Sequence, residues 1–128
     1  MIGYVTLGTN NLERAVAFYD ELLATIGATR FIETDQFIVW SRSPEEPGIS
    51  INKPFDGKPA TVGNGVMVAI MLNSPGEVDA FYQKAIELGA TCEGPAGLRG
   101  EMEGFYAGYF RDLDGNKLNA FHFEMPTT

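Results

Sequence analysis

The amino-acid sequence predicts an α+β fold made of two tandem βαβββ units. Three observations carry that prediction. Ala17-Phe18-Tyr19 followed by Gly27-Ala28-Thr29 recurs as Ala80-Phe81-Tyr82 followed by Gly89-Ala90-Thr91, about half a chain length later. Each copy also opens on a capping-box pattern, with Asn10 three residues before Glu13 and Ser74 three before Glu77. In such a box the cap side chain and the glutamate each satisfy an orphan backbone N–H at a helix start. Finally, apolar residues switch between strand-like and helical spacing in the same order in both halves.

The elements follow in sequence. Ile2 to Leu7 is strand-like, and Leu12, Val16, Tyr19, Leu22, Leu23 and Ile26 then share one face of a helix. Gly27 stands where a glycine ends a helix in the left-handed conformation. Runs rich in β-branched and aromatic residues come next, at Thr29–Glu33, Phe37–Trp40 and Ile49–Ile51. In the second half Val66–Leu72 is the opening strand, and Pro75 takes the first helical position, where its missing N–H costs nothing. Val78, Phe81, Ala85 and Leu88 form that helix's apolar face, and Gly89 ends it. Thr91–Glu93, Phe105–Phe110 and Lys117–Phe123 complete the unit, the last two joined by the turn Asp112-Leu113-Asp114-Gly115-Asn116. The glycine-rich stretch from Gly94 to Gly104 is expected to be a loop. The chain is thus one domain of two repeats, about residues 1–56 and about 64–125, with 53–65 as the connecting loop. A single repetition at half the chain length is a duplication rather than a solenoid.

Composition narrows the function. With 9 basic and 17 acidic residues the net charge is −8, which repels nucleic acid and anionic membrane surfaces, so neither is expected as a partner. No apolar run reaches the roughly 18 residues that span a bilayer, and Met1-Ile2-Gly3-Tyr4-Val5 does not read as a signal peptide. The single cysteine, Cys92, fits a reducing compartment, and we expect a cytoplasmic protein. The glycines lack the strand-then-helix context of a phosphate cradle.

Two stretches, Tyr4-Val5-Thr6-Leu7-Gly8 through Ala17-Phe18-Tyr19 and Tyr109 through Asn119 across the Asp-Gly-Asn turn, carry a family resemblance. Together with the duplicated βαβββ plan they resemble the vicinal oxygen chelate superfamily, which includes glyoxalase I, bleomycin-resistance proteins and extradiol dioxygenases. The resemblance runs over the whole chain. It implies curved mixed sheets around a central cavity with the helices outside, and a homodimer. It also implies a divalent metal held by four side chains from the first and fourth strands of each unit. Carried onto this sequence, those positions fall on Tyr4, Met67, Asn119 and either Ser50 or Asn52. None is an imidazole or a carboxylate, whereas divalent cations need such donors in number. We therefore expect no cofactor and no resident metal.

The remaining chemistry is sparse. His122 is the only histidine and alternates away from the Asn119, Phe121 and Phe123 face. Cys92 has no neighbouring base and reads as a small apolar filler. Asp112 and Asp114 belong to a turn and are expected to bond its backbone. Glu101 and Glu103 are acidic residues of the glycine-rich loop. The expected ligand-binding cavity is lined by Tyr4, Met67, Asn119, Phe121, Trp40, Tyr106 and Tyr109, with Arg99 and Arg111 as anion-binding groups. Aromatic and methionine walls with a few polar tips suit a small organic molecule. The reading is a metal-free module that sequesters or carries such a molecule. The alternative is a lyase, isomerase or dioxygenase-type enzyme with a divergent site, using unfamiliar metal ligands or Tyr4 as acid-base group.

Overall fold

The structure is a computed structural model, and it describes residues 1–124. It divides into two compact units with the boundary between Asn64 and Gly65, inside the stretch read as the connecting loop. The expected end of the second repeat, at 125, lies outside the described residues.

In the first unit the order is β1 (Tyr4–Gly8), α1 (Leu12–Ala24), β2 (Thr29–Glu33), β3 (Phe37–Ser41) and β4 (Gly48–Asn52). The strands form one mixed sheet in the order β1-β4-β3-β2. β1 runs parallel to β4, with Thr6 opposite Ser50, and the other pairs are antiparallel. Phe18, Tyr19, Leu22 and Leu23 of α1 are buried, as are Leu7, Ile38, Trp40 and Ile51 of the sheet. Burying side chains of this size contributes about 1.5–3 kcal/mol each. The helix start differs by one residue from the sequence expectation. Asn11, not Asn10, is the cap, its side chain accepting from the Arg14 N–H at 3.0 Å. Asn10 instead clamps the backbone of Ala60 through both ends of its amide.

The second unit repeats the plan as β5 (Val68–Met71), α2 (Pro75–Glu87), β6 (Thr91–Leu98), β7 (Phe105–Arg111) and β8 (Lys117–Phe123), with sheet order β5-β8-β7-β6. Here Ser74 is the cap: its Oγ accepts from the Glu77 N–H, while the Glu77 carboxylate accepts from the Asn73 N–H. Gly27 and Gly89 have φ of 80° and 105°, the left-handed exits that the sequence predicts after each helix. The Asp112 carboxylate accepts from the N–H groups of Asp114 and Asn116, so Asp112 serves the turn.

Several strand boundaries depart from expectation: Ile2 and Gly3 precede β1, which runs on to Gly8. Val66 and Met67 precede β5 rather than opening it. β6 runs on to Leu98, through glycines expected to be loop. Register shifts between Cys92 and Gly94 and again before Gly97 absorb the irregular backbone. The sheet order places β6 at an edge, where Pro95 needs no ladder N–H. No helix among the described residues is long and apolar enough to cross a membrane.

Candidate functional site

Strand alternation divides each sheet into a helix-covered face and an open face. In the second unit the covered face is marked by Phe110, whose ring lies 6.1 Å from Phe81 of α2, and by Tyr106, whose hydroxyl donates to Asp79 of α2 at 2.5 Å. Gly108 lies between them, and a Cβ there would meet the Tyr82 ring at 3.0 Å. The odd-numbered residues of β7 therefore point the other way. Tyr109 sits opposite Asn119 of β8, and Ala107 opposite Phe121. On its other side Asn119 pairs with Ala69 of β5. Phe105 packs against Phe121 and Phe123 at 5.6 and 6.2 Å, giving this face an aromatic end.

Its other end is cationic. Arg99 lies over the Tyr109 ring at 5.3 Å, and the Lys117 ammonium lies 5.6 Å from the same centroid. Arg111 donates to Glu93 at 2.6 Å and to the Gly115 carbonyl at 3.0 Å. The Arg111 guanidinium holds the Glu93 carboxyl below its ordinary range, and Lys117 adds to that pull. Between the two ends stands Asn119, only 1% exposed, whose Oδ1 has no hydrogen-bond partner. A buried acceptor without a donor costs about 1–3 kcal/mol, so its presence asks for a function.

The open face of the first sheet carries Tyr4, Thr6, Ser50, Asn52 and Phe37, by alternation from Trp40 and Ile51 on the covered side. Tyr4 is 61% exposed. Asn52 has a second carbonyl oxygen without a partner, its amide N–H₂ donating to the neighbouring Lys53 carbonyl. Strand register also separates Ser50 from Asn52. The offset that carries Ala17 to Ala80 carries Tyr4 to Met67 and Thr6 to Ala69. Thr6 pairs with Ser50 and Ala69 with Asn119, so Ser50 is the counterpart of Asn119.

Several sequence-predicted residues fall elsewhere. Trp40 belongs to the covered face: it is 1% exposed, its ring lies 5.8 Å from Tyr19, and its indole N–H donates to Asp20. Tyr106 is likewise turned to α2, and its hydrogen bond to Asp79 raises the phenol's pKa. Met67 lies outside the β5 ladder, so the residue beside Asn119 is Ala69. Cys92 is exposed rather than a buried filler; it accepts from the Gly94 N–H, and its hydrogen bond with Tyr82 pushes that phenol up to about 12. His122 contacts the Leu72 carbonyl through Nδ1 at 3.0 Å, and pairs with Tyr106 on the covered side. Glu101 and Glu103 are exposed. What sequence reasoning missed is Lys117. Its signal was available, since it stands two residues before Asn119 on the same strand face.

The donor set does not fit a divalent metal. The positions carried over from the family resemblance hold a phenol, a hydroxyl, a thioether and an amide, all weak donors for such ions. Among the described residues no three His, Cys, Asp or Glu side chains gather in a way that could hold one. A groove of about 630 Å³ beside α1, with Glu13, Asp20, Arg30, Asp35 and Lys53 on its walls, is polar. Its central pair is already committed, because Arg30 forks onto Asp20 and Glu33.

Comparison with known proteins adds the lineage. Residues 1–120 match the family model described as the Glyoxalase/Bleomycin resistance protein/Dioxygenase superfamily. A solved glyoxalase/bleomycin resistance protein from Albidiferax ferrireducens T118 is 38% identical with a TM-score of 0.86, the match covering 98% of this chain and 99% of that one. A glyoxalase/bleomycin resistance protein/dioxygenase family enzyme from Burkholderia phytofirmans PsJN is 16% identical, with a TM-score of 0.73 and coverage of 95% and 98%. A lactoylglutathione lyase from Agrobacterium tumefaciens is 18% identical, with a TM-score of 0.69 and coverage of 95% and 92%. At those last two identities the likeness is one of fold. Comparison with curated proteins yields no match.

Proposed function

The chain belongs to the Glyoxalase/Bleomycin resistance protein/Dioxygenase superfamily, and from that premise we propose that it is a metal-free small-molecule-binding module that sequesters or carries its ligand. The observation that carries this reading is Asn119, a buried amide whose carbonyl oxygen has no partner on an open, aromatic-walled sheet face. A structural residue in that place would be apolar, as Phe121 is two residues on along the same strand face. A ligand that donates a hydrogen bond would recover the desolvation cost. The metal-ligand positions support the metal-free part, because no competent donor occupies them. We place the protein in the cytoplasm, acting as a homodimer, on the lone exposed cysteine and the habit of the family.

The test is a thermal-shift and ligand-observed NMR screen of the purified chain against small aromatic compounds of all charge types. Specific binders that raise the melting temperature, unaffected by chelator, are the expected result. Binding that appears only after a divalent metal is added, or turnover that requires one, would overturn the reading.

A further inference from the structure

We infer that the open face of the second sheet selects an organic anion that carries a hydrogen-bond donor next to its anionic group, a hydroxy- or amino-carboxylate in chemical class. This rests on the small-molecule reading above and narrows it. Three features of one face define what it can hold.

The first is a local concentration of positive charge in a chain of net −8. Arg99 and Lys117 both attend the Tyr109 ring, at 5.3 and 5.6 Å. Among the described residues neither forms an ion pair at contact distance; Glu93 is closed onto Arg111, and Lys117 acts on it only from farther away. An anion bound beside that ring would meet two favourable charges.

The second is preorganisation. The Arg99 guanidinium is held by the carbonyls of its own bulged strand, Pro95 at 2.6 Å, Gly97 at 3.3 Å and Leu98 at 3.4 Å. Five N–H donors exceed those three acceptors, so donors remain for a ligand. Gly94 makes the arrangement sterically feasible, since a Cβ there would lie 3.2 Å from the Arg99 Nη2 and 3.4 Å from the Tyr109 ring. The bulge in β6 thus has a local purpose: it lays the guanidinium over the ring.

The third is Asn119. Its unpartnered Oδ1 is an acceptor, so it calls for an N–H or O–H rather than another carboxylate oxygen. Asn119 is the cross-strand partner of Tyr109 and lies two residues from Lys117, so the acceptor and the cations serve one bound molecule. Phe121 and Phe105 continue the same face and offer an apolar wall for the rest of it.

The experiment uses mandelate as probe, beside phenylacetate, which lacks the hydroxyl, and methyl mandelate, which lacks the charge. Binding is followed by amide-resolved NMR titration of the full chain, with wild type, Arg99→Gln/Lys117→Gln and Asn119→Leu variants. Mandelate should move the Gly94, Tyr109 and Asn119 resonances and bind at least about tenfold more tightly than its methyl ester, as a charge-assisted contact implies. The double cation variant should remove that preference, and Asn119→Leu should remove the preference for mandelate over phenylacetate. A second cation variant, Arg99→Lys/Lys117→Arg, keeps the charge and should retain the selectivity against the ester. If the ester binds this face as well as the acid, or if the double variant keeps the preference, the anion assignment is overturned while the small-molecule reading stands. If no aromatic compound of any charge shifts the open faces, both fall.

Discussion

Asn119 and Leu118 are neighbours with opposite obligations. Leu118 faces α2 and is fully buried there; Asn119 faces away and holds a carbonyl oxygen without a donor. Leu118→Ala should cost about 2–5 kcal/mol. Asn119→Leu removes the orphan acceptor at similar volume, and should leave the ligand-free chain within about 1 kcal/mol of wild type or above it. Urea denaturation of the two variants checks both, and a loss beyond that range for Asn119→Leu would make the amide structural. Asp20 offers a pH test. Hydrogen bonds from Arg30, and secondarily from the Trp40 indole, hold its carboxyl below the ordinary range against the opposing effect of burial. Its folded pKa is therefore the lower one, so the stabilisation is present above the ordinary value of about 4 and is lost as pH falls through the folded value. The Arg30–Asp20 pair is about one-third exposed, at 36% and 35%, so Asp20→Asn should cost no more than about 1 kcal/mol at pH 7. The acid limb of the stability curve should also become shallower below about pH 4.

At the scale of elements, the caps and the crowded glycines decide where strands and helices begin. Ser74→Ala should lower stability by about 1 kcal/mol, as loss of an N-cap does, and Asn11→Ala should match it. Asn10→Ala should act on the contact with Ala60 instead, leaving the helix unchanged by circular dichroism. The adjacent asparagines explain the displaced cap: capping chemistry was legible, but either residue could supply it, and the chain entering from β1 chose. Gly48 opens β4 so close to β3 that a Cβ would lie 2.8 Å from the Trp40 carbonyl. Gly48→Ala should cost about 1–3 kcal/mol through that overpacking, read as a lower denaturation midpoint. Along β6 the glycines and Pro95 look like loop chemistry in sequence; at a sheet edge the same residues make a bulged strand.

Over the whole molecule, the duplication gives each half its own helix, sheet and buried core. It also gives each half an asparagine with an unpartnered carbonyl oxygen, Asn52 in one sheet and Asn119 in the other. These are not counterparts in register, since Ser50 corresponds to Asn119. A duplicated scaffold has thus been adapted differently in its two copies. Purified protein should carry no stoichiometric divalent metal, measured by elemental analysis after dialysis against a weak chelator. Near one equivalent per chain, lost on Asn119→Ala, would show that the donor argument is wrong.

The sequence by itself determined the repeat, both helices with their glycine exits, and the strand pattern. These follow from local rules: capping, periodicity and the identity of single side chains. Only the tertiary structure decided which face each aromatic takes. Trp40, Tyr106 and Tyr109 are all strand aromatics; alternation separates Tyr106 from Tyr109, but only the packing beneath the helices shows which face turns inward, to Asp20 and Asp79. It also decided that Arg99 and Lys117, eighteen positions apart (117 − 99), share one ring. That meeting depends on a bulge and on strand pairing, both set by contacts between segments distant in the chain, where no local pattern reaches.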